Sequence, residues 1–481
     1  MISSRRKPAD RCAVRAAPIG LCVGVCRSRA KRYNAATVSA MNTAPAASLG
    51  RLLSGSAMIF ACRLCGAALT FLLQIALARW LGAAELGIYV LAFSWCILLS
   101  TLSHLGLMQA SMRFIGEALA EDRPGLARGF AAGAATLVGI ASLGIAATFA
   151  VAVWLLRERL PGADPLPFLL AAATVPVYAL LNLQAGISNA FAWLRLAFVP
   201  ANVARPLLTV LLVGACWYGL GTLSAGGVML IQWLSFVFVA AIVLTLFVRR
   251  LRRATGAHAQ ERHQSLWVRT ALPLLIANLF ANYFPELTMI MLGLYLPAEE
   301  IAVFNAAFRV AMLIAFGVIA VDAITMPSSA QLHAGGRHAE LQATIARASQ
   351  LRFWASVAGA AVFALFGRQI LALFGSEFVT GYEPLMILVV AQLLRAGFGP
   401  SAELLAISGH QNRSIKVFAS SLVVLCILLA ALVPRWGING AAAAVTLTML
   451  FWNLWLNSLV RRLLNIRPDA PAGLRLLLSG R

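Results

Sequence analysis

Twelve apolar stretches of about twenty residues follow one another along most of this chain. An α-helix rises about 1.5 Å per residue, so each stretch is long enough to cross the hydrocarbon core of a bilayer. Only 12% of the residues are charged, whereas soluble chains carry about 25%. We therefore predict an all-α polytopic membrane protein with about twelve transmembrane helices. The predicted segments are 54–78, 87–109, 129–153, 167–188, 200–218, 227–248, 270–294, 301–326, 353–374, 384–407, 417–433 and 439–460.

The basic residues are distributed unevenly between the loops that join these segments. With the N-terminus inside, the inside loops and C-terminal tail carry 20 Arg and Lys residues, and the outside loops carry 4. Cytoplasmic loops are enriched in these residues, so we predict that both termini are cytoplasmic. The net charge of +22 is then mostly a signal of membrane topology, and we expect no nucleic-acid partner.

Two stretches, one in each half of the chain, resemble each other. The sequence Trp80-Leu-Gly-Ala-Ala-Glu-Leu-Gly-Ile-Tyr is echoed by Tyr295-Leu-Pro-Ala-Glu-Glu-Ile-Ala-Val-Phe, and each copy lies between the first two segments of its half. Transporters are often built from such repeats. We predict two homologous six-helix lobes around a central cavity. The predicted parts are a basic disordered tail (1–50, with Met41 as an alternative start), an N-lobe (51–248), a cytoplasmic linker (249–269), a C-lobe (270–462) and a cytoplasmic tail (463–481).

Several kinds of catalytic protein are not favoured by this sequence. None of its three lysines follows a glycine, so the chain has no Walker A loop to bind a nucleotide phosphate. The predicted loops are short, which leaves no room for a catalytic domain on either face of the membrane. We predict a protein that is not an enzyme and that contains no metal centre.

Five arginines fall within the predicted membrane segments, where each needs a physical reason. An ionisable side chain at the bilayer centre costs roughly 2.5–3.5 kcal/mol even on the milder scales, so it usually faces a cavity or a partner. Arg368 is close to a segment end and is expected to extend toward the headgroups. The others are Arg63, Arg205, Arg309 and Arg395.

Polar residues recur at helical spacing in three segments of the second half. Helical positions three or four apart lie on one face, so these residues are expected to form polar stripes toward a cavity. The stripes comprise Asn278, Asn282 and Glu286, then Asn305 and Arg309, then Gln392, Arg395 and Glu403; the first half contributes Arg63, His104 and Arg205.

The chemistry of these residues points to an anionic substrate. Guanidinium groups stay charged and bind phosphate through paired hydrogen bonds, which favours a phosphate-bearing lipid headgroup or another anion. The acids Glu286, Asp322 and Glu403 are candidates to bind a coupling proton or sodium ion. An ion pair with an arginine on a neighbouring helix is an equally good interpretation of each.

Short motifs in both halves resemble those of the polysaccharide flippase family, within the multidrug/oligosaccharidyl-lipid/polysaccharide exporter superfamily. The resemblance covers about residues 51–465. The motifs include Ala78-Arg-Trp-Leu-Gly, Gly87-Ile-Tyr, Gly106-Leu, Met112-Arg-Phe, Leu272-Pro, Met291-Leu-Gly, Asn305-Ala-Ala-Phe-Arg, Phe374-Gly-Ser-Glu-Phe, Gly381-Tyr, Gly399-Pro, Ser408-Gly-His and Gly437-Ile-Asn-Gly-Ala-Ala.

The resemblance implies an antiporter-like fold that opens alternately to each side of the bacterial inner membrane. Family members move polyprenyl-diphosphate-linked oligosaccharides across it during O-antigen, capsule or exopolysaccharide assembly, beside polymerase and chain-length proteins. The implied substrate-binding set is Arg63, Arg205, Asn305, Arg309 and Arg395, with Glu286, Asp322 and Glu403 for the coupling cation and His104, Asn278, Asn282 and Gln392 as further cavity residues. The chain has Thr288 where family members often carry Asp.

Two other functions are compatible with the sequence. A cation-coupled multidrug exporter of the same superfamily is one, although five intramembrane arginines against three acids disfavour cationic substrates. A scaffold for a glycan-synthesis complex is the other. It predicts that substitutions in the cavity are harmless, whereas changes in loops or interfaces are not.

Overall fold

Helices account for nearly all of the chain that the computed structural model describes, and no strand occurs among the described residues 46–159, 162, 164–256, 264–464, 466 and 468. The all-α prediction is confirmed. The helices are α1 (Ala46–Ser103), α2 (Leu107–Ala120), α3 (Pro124–Leu155), α4 (Leu166–Ala190), α5 (Leu194–Val199), α6 (Arg205–Leu220), α7 (Ala225–Thr255), α8 (Gln264–Asn282), α9 (Phe284–Leu292), α10 (Ala298–Met312), α11 (Ile314–Ala334), α12 (His338–Ala372), α13 (Tyr382–Gly397), α14 (Ser401–Ile407) and α15 (Gln411–Leu464).

Nine helical stretches within the described residues are long and apolar enough to cross a membrane. Two of them, Met58–Ala120 and Arg413–Leu464, each cover two of the predicted segments. The predicted segment 270–294 differs because a break at Tyr283, next to Pro285, divides it into α8 and α9. Proline has no N–H for the helical ladder, which favours a break at this place. The protein is a multi-pass membrane protein, as predicted.

The helices of the two halves begin at matching positions. Helix α3 begins at Pro124 and its counterpart α12 at His338, while α4 begins at Leu166 and its counterpart α13 at Tyr382. The offset along the chain is nearly the same for both pairs, and it is close to the offset between the two similar stretches of sequence. The packing matches as well, because α4 contacts both α3 and α7, and α13 contacts both α12 and α15. The sequence repeat is therefore accompanied by a repeated helix arrangement.

Two glycines interrupt the longest helices. Gly82 lies within α1 with a φ of 76°, and Gly437 lies within α15 with a φ of 53°. Both values are in the left-handed region, which glycine adopts without the steric cost that a Cβ would add. Each glycine divides its helix into the two spans that the hydropathy pattern predicts.

The two halves of the molecule contact each other closely beside Gly82. A Cβ added to Gly87 would lie 1.8 Å from the carbonyl oxygen of Ala298, so only glycine allows the two backbones to approach. The Ala83 N–H donates to Oε1 of Glu377 at 3.0 Å, and Nε of Arg79 donates to the Leu373 carbonyl at 2.6 Å. We call this region, residues 79–87 with 298 and 373–377, the Gly82 end.

The segment between the halves is more helical than the sequence indicates. A linker was predicted at 249–269, but α7 continues to Thr255 and α8 begins at Gln264. Trp267 on α8 is buried, with its ring 5.2 Å from that of Phe130. Charge made this segment resemble a loop, whereas its ends are extensions of the flanking helices.

Candidate functional site

A central cavity of about 420 Å³ lies between the two halves. Its first-half wall comes from α1, the turn 200–204 and the start of α6, and its second-half wall comes from α9, α10 and the start of α11. Three lining residues are cationic and one is anionic: Arg63, Arg205, Arg309 and Glu286. Ser94, Asn202 and Asn305 add neutral polar groups. The cavity therefore carries an excess of positive charge.

A short π-helix, Pro200–Ala204, sets the position of Arg205. The Arg205 N–H donates to the Pro200 carbonyl, five residues back instead of four. Pro200 has no N–H for the Leu196 carbonyl, and that carbonyl instead accepts a hydrogen bond from Nε2 of Gln184 at 3.4 Å. Single π turns are frequent at functional sites, and this one directs Asn202 and Arg205 to the cavity.

Aromatic rings flank two of the cavity arginines. The Arg205 guanidinium lies 4.6 Å from the ring centroid of Phe236 and 5.2 Å from that of Tyr178. Arg63 lies 5.8 Å from the ring of Phe198. Cation–π contacts stabilise a guanidinium without occupying its N–H groups, which remain available to an anion.

Amide groups connect Arg309 to the opposite half of the molecule. Nε of Arg309 donates to Oδ1 of Asn305 at 3.2 Å, and Nδ2 of Asn305 donates to Oε1 of Gln74 at 3.3 Å. Both amides are almost completely buried. This chain fixes the guanidinium from one edge and leaves its terminal nitrogens directed at the cavity that Arg309 lines.

Glu286 is the acidic residue of the cavity wall, in the first turn of α9. Its Oε2 is buried and accepts no hydrogen bond from a described residue, although Arg309 is near enough to interact with its charge. Thr288, at the position where related chains often carry Asp, is buried and donates to the Phe284 carbonyl of its own helix at 2.8 Å. Glu286, and not Thr288, therefore lines the cavity.

Arg395, Asp322 and Glu403 do not line the central cavity, so the polar stripe of Arg395 and Glu403 does not face it as predicted. The structure places them within the second half, close enough to interact electrostatically with one another. Asp322 forms an ion pair with Arg352 over 3.4 Å. Arg352 is only 3% exposed, yet sequence analysis placed it in a loop because the apolar segment begins at 353. Helix α12 begins well before that segment. The interpretation of Asp322 as one half of an ion pair with an arginine on a neighbouring helix was the sequence signal for this partner.

Two further predicted cavity residues, Gln392 and His104, also lie outside the cavity wall. Gln392 is buried behind the wall, where its Nε2 donates to Sδ of the lining residue Met312 at 3.4 Å. His104 is fully buried at the end of α1 and does not line the cavity. The side chains of Asn278 and Asn282 lie outside the described residues. Helical spacing identified polar faces but not the surface that each face contacts.

The chain matches a known protein family over much of its length. The family described as "Polysaccharide biosynthesis protein" matches residues 52–333, more than half of the chain. The chain belongs to the polysaccharide biosynthesis protein family. The resemblance inferred from the motifs is thereby confirmed, and this family member shares its fold with transporters of the MOP superfamily. No curated protein sequence matches the chain.

Solved structures resemble this family member over most of its length. The inward-facing structure of a multidrug resistance MATE family transporter of the MOP superfamily has a TM-score of 0.63 and 17% identity, covering 82% of this chain and 99% of that one. The outward-facing structure of such a transporter has a TM-score of 0.58 and 18% identity, with coverage of 85% and 96%. A MOP superfamily transporter from Pyrococcus furiosus, described by the reverse polarity of its binding pocket, has a TM-score of 0.58 and 17% identity, with coverage of 85% and 95%.

Proposed function

We propose that this protein moves polyprenyl-diphosphate-linked oligosaccharide across the bacterial inner membrane by alternating access. Both termini are then cytoplasmic, the Gly82 end faces the periplasm, and the product serves O-antigen, capsule or exopolysaccharide assembly. Membership of the polysaccharide biosynthesis protein family supports a glycan-related cargo, and the fold supports transport rather than catalysis.

The charge of the central cavity is the observation that carries this proposal. Three guanidinium groups, on Arg63, Arg205 and Arg309, face a single carboxylate on Glu286. In a site with little water, the remaining positive charge attracts an anion strongly, and guanidinium groups bind phosphate oxygens through paired hydrogen bonds. A diphosphate supplies both the charge and the oxygens that this wall can bind.

The cavity volume limits which part of the substrate binds there. Pockets for small ligands measure roughly 300–1,000 Å³, and this cavity is near the lower bound at about 420 Å³. We infer that it holds the diphosphate and the adjoining sugar. The rest of the oligosaccharide then extends toward the membrane surface, and the lipid tail remains among membrane lipids.

Glu286 is our proposed binding residue for a coupling proton or sodium ion. Its buried Oε2 has no hydrogen-bond donor among the described residues, and an uncompensated carboxylate in an apolar setting favours the binding of a cation or proton. Arg309 lies near enough to link the two charges. Binding of the diphosphate to Arg309 then weakens the electrostatic attraction between Arg309 and Glu286. Glu286 is thereby freer to bind the proton or sodium ion, so binding of the diphosphate is coupled to binding of the cation.

A multidrug exporter is the competing function, because the structural neighbours include multidrug transporters. The arginine-lined wall disfavours it, since a cationic drug would be repelled by three guanidinium groups. A scaffold role, in contact with polymerase or chain-length proteins, requires no charged cavity at all. We therefore place such partners beside a transporter rather than in place of one.

A deletion strain tests the proposal. Mass spectrometry of its lipids is expected to show accumulated polyprenyl-diphosphate-linked oligosaccharide together with reduced surface glycan. Wild-type protein should restore both, whereas Arg205→Ala/Arg309→Ala should not. Unchanged lipid and glycan in the deletion strain, with heightened sensitivity to cationic drugs, would instead support the exporter.

A further inference from the structure

A second large concave surface lies on the side of the first half, apart from the central cavity. It is a groove of about 1080 Å³ between the α5–α6 chain and α7. The groove runs from Arg195 to Leu211 along one wall and from Arg253 to Phe238 along the other. At 1.5 Å per residue each wall is roughly 20 Å long. We call it the lateral groove.

The two ends of the lateral groove differ in chemistry. Four arginines line one end: Arg195, Arg249, Arg250 and Arg253. The other end is apolar, and its side chains include Leu207, Leu211, Phe238, Ile242 and Leu246, each between 41% and 60% exposed. A charged end joined to a long apolar trough matches the form of an anionic lipid.

The arginines of this groove are available to an external anion. Among the described residues, no carboxylate forms an ion pair with any of the four. The Arg250 guanidinium lies 4.8 Å from the ring centroid of Trp193, a contact that holds the side chain and leaves its N–H groups free. A phospholipid with one phosphodiester charge would neutralise only a fraction of this cluster, whereas a diphosphate lipid matches it better.

The lateral groove lies beside the central cavity, and a single wall separates the two. Pro200 and Val239 line both the groove and a small pocket of about 20 Å³, and Arg205 lines both that pocket and the central cavity. The π-helix Pro200–Ala204 is thus the wall between them. The trough at the level of Pro200 and Val239 therefore lies one helix away from Arg205.

We propose that the lateral groove is the entry site for the lipid-linked substrate, which holds the polyprenyl chain in its trough and the diphosphate at Arg195, Arg249 and Arg253. This inference rests on the proposed function and adds the place where the substrate leaves the bilayer. Because the groove arginines are positively charged and a diphosphate carries more negative charge than a phosphodiester, the groove binds diphosphate lipids in preference to the single-charge phospholipids around it.

Matched substitutions distinguish the effect of changing groove residues from the effect of changing neighbouring residues of the same helix. Arg249→Gln/Arg253→Gln removes two groove charges, and Arg252→Gln removes one from the same helical turns but from an exposed residue outside the groove. Ile242→Trp fills the trough, and Leu234→Trp adds the same bulk to an equally exposed position of α7 that does not line it. All four variants change α7, and the tryptophan pair adds the same bulk at equally exposed positions, so misfolding caused by the bulk would affect Leu234→Trp as well.

The binding experiment uses full-length protein in nanodiscs and native mass spectrometry, with undecaprenyl diphosphate as the probe and phosphatidylglycerol as competitor. It is done in Arg309→Ala protein, which weakens binding in the central cavity. We expect retention of the probe against a tenfold excess of competitor, a loss of at least tenfold in Arg249→Gln/Arg253→Gln and in Ile242→Trp, and little change in the two controls.

Two results would overturn the groove assignment: equal displacement by phosphatidylglycerol, which indicates an ordinary anionic-lipid surface, or unchanged binding in both groove variants. Transport distinguishes this failure from that of the proposed function. If the wild-type protein translocates the lipid and the groove variants match its rate, the groove assignment fails and the function stands. If the wild-type protein neither binds nor translocates diphosphate lipids, the proposed function itself fails.

Discussion

Asn305 joins the two halves of the protein, because its Nδ2 donates to Oε1 of Gln74 over 3.3 Å while its Oδ1 accepts from Arg309. One side chain therefore holds a cavity cation and bridges the interface that the proposed alternating access would rearrange. On the proposed function, an anion bound at the terminal nitrogens of Arg309 is linked through the Nε bond to Asn305, and through Asn305 to Gln74 of the other half. The substrate contact and the contact between the halves share a residue.

Asn305→Ala is expected to slow transport while leaving the fold intact. Hydrogen bonds between membrane helices contribute about 0.6 kcal/mol on average and about 1.7 kcal/mol at most, which corresponds to a change of roughly threefold to twentyfold. The initial rate in proteoliposomes measures the effect. Asn453→Ala is the matched control, since the buried Asn453 amide donates, within the part of the chain that the structure describes, to the Met449 carbonyl of its own helix and not across the halves. Equal rates for the two variants would contradict a special role for the bridge.

Arg309→Ala is expected to weaken substrate binding by roughly 10- to 100-fold, because hydrogen bonds to charged groups contribute about 1.5–3 kcal/mol. Arg309→Lys should recover only part of this loss, since an ammonium group cannot form the paired contact of a guanidinium. Isothermal titration with undecaprenyl diphosphate measures the affinity. Arg368→Ala, which removes an arginine lying over Tyr382 and outside the cavity, should bind like wild type.

Asp322→Asn is expected to destabilise the protein, since it leaves the buried Arg352 without its ion-pair partner. Breaking a buried pair costs about 3–5 kcal/mol, and the melting temperature should fall clearly. Asp322→Asn/Arg352→Gln should regain most of the loss, and Glu117→Gln at the exposed pair with Arg113 should have little effect. If the double variant were stable but uncoupled from its ion gradient, Asp322 would belong to the coupling machinery instead.

Gly87→Val is expected to separate the halves at the Gly82 end, because its Cβ would overlap the Ala298 carbonyl at 1.8 Å. Hydrogen–deuterium exchange should become faster in peptides covering 79–90 and 295–305. Gly139→Val provides the comparison, since a Cβ added there meets no heavy atom of the described residues within 4 Å beyond its own stretch of helix backbone. Unchanged exchange in Gly87→Val would mean that this contact does not hold the halves together.

Hydropathy and loop charge were sufficient to predict the membrane fold, because each membrane-spanning helix must be apolar and must form all its backbone hydrogen bonds within itself. The cavity was predictable only in part. Arg309 was identified by its spacing from Asn305, and Arg205 by its place within a predicted membrane segment. Hydropathy could not locate Arg352, because the apolar segment begins after the helix does, and it could not distinguish the buried His104 from a cavity residue. Which face of a helix meets a cavity depends on contacts between distant segments, such as Gln74 with Asn305.

The most direct measurement is the translocation of a fluorescent polyprenyl-diphosphate-linked oligosaccharide in proteoliposomes, followed by quenching of the outer leaflet with dithionite. The account predicts that wild-type protein makes the protected inner-leaflet pool accessible, and that Arg205→Ala/Arg309→Ala leaves most of it protected. Protection that persists with wild-type protein, or equal rates for wild type and the double variant, would contradict transport through the arginine-lined cavity.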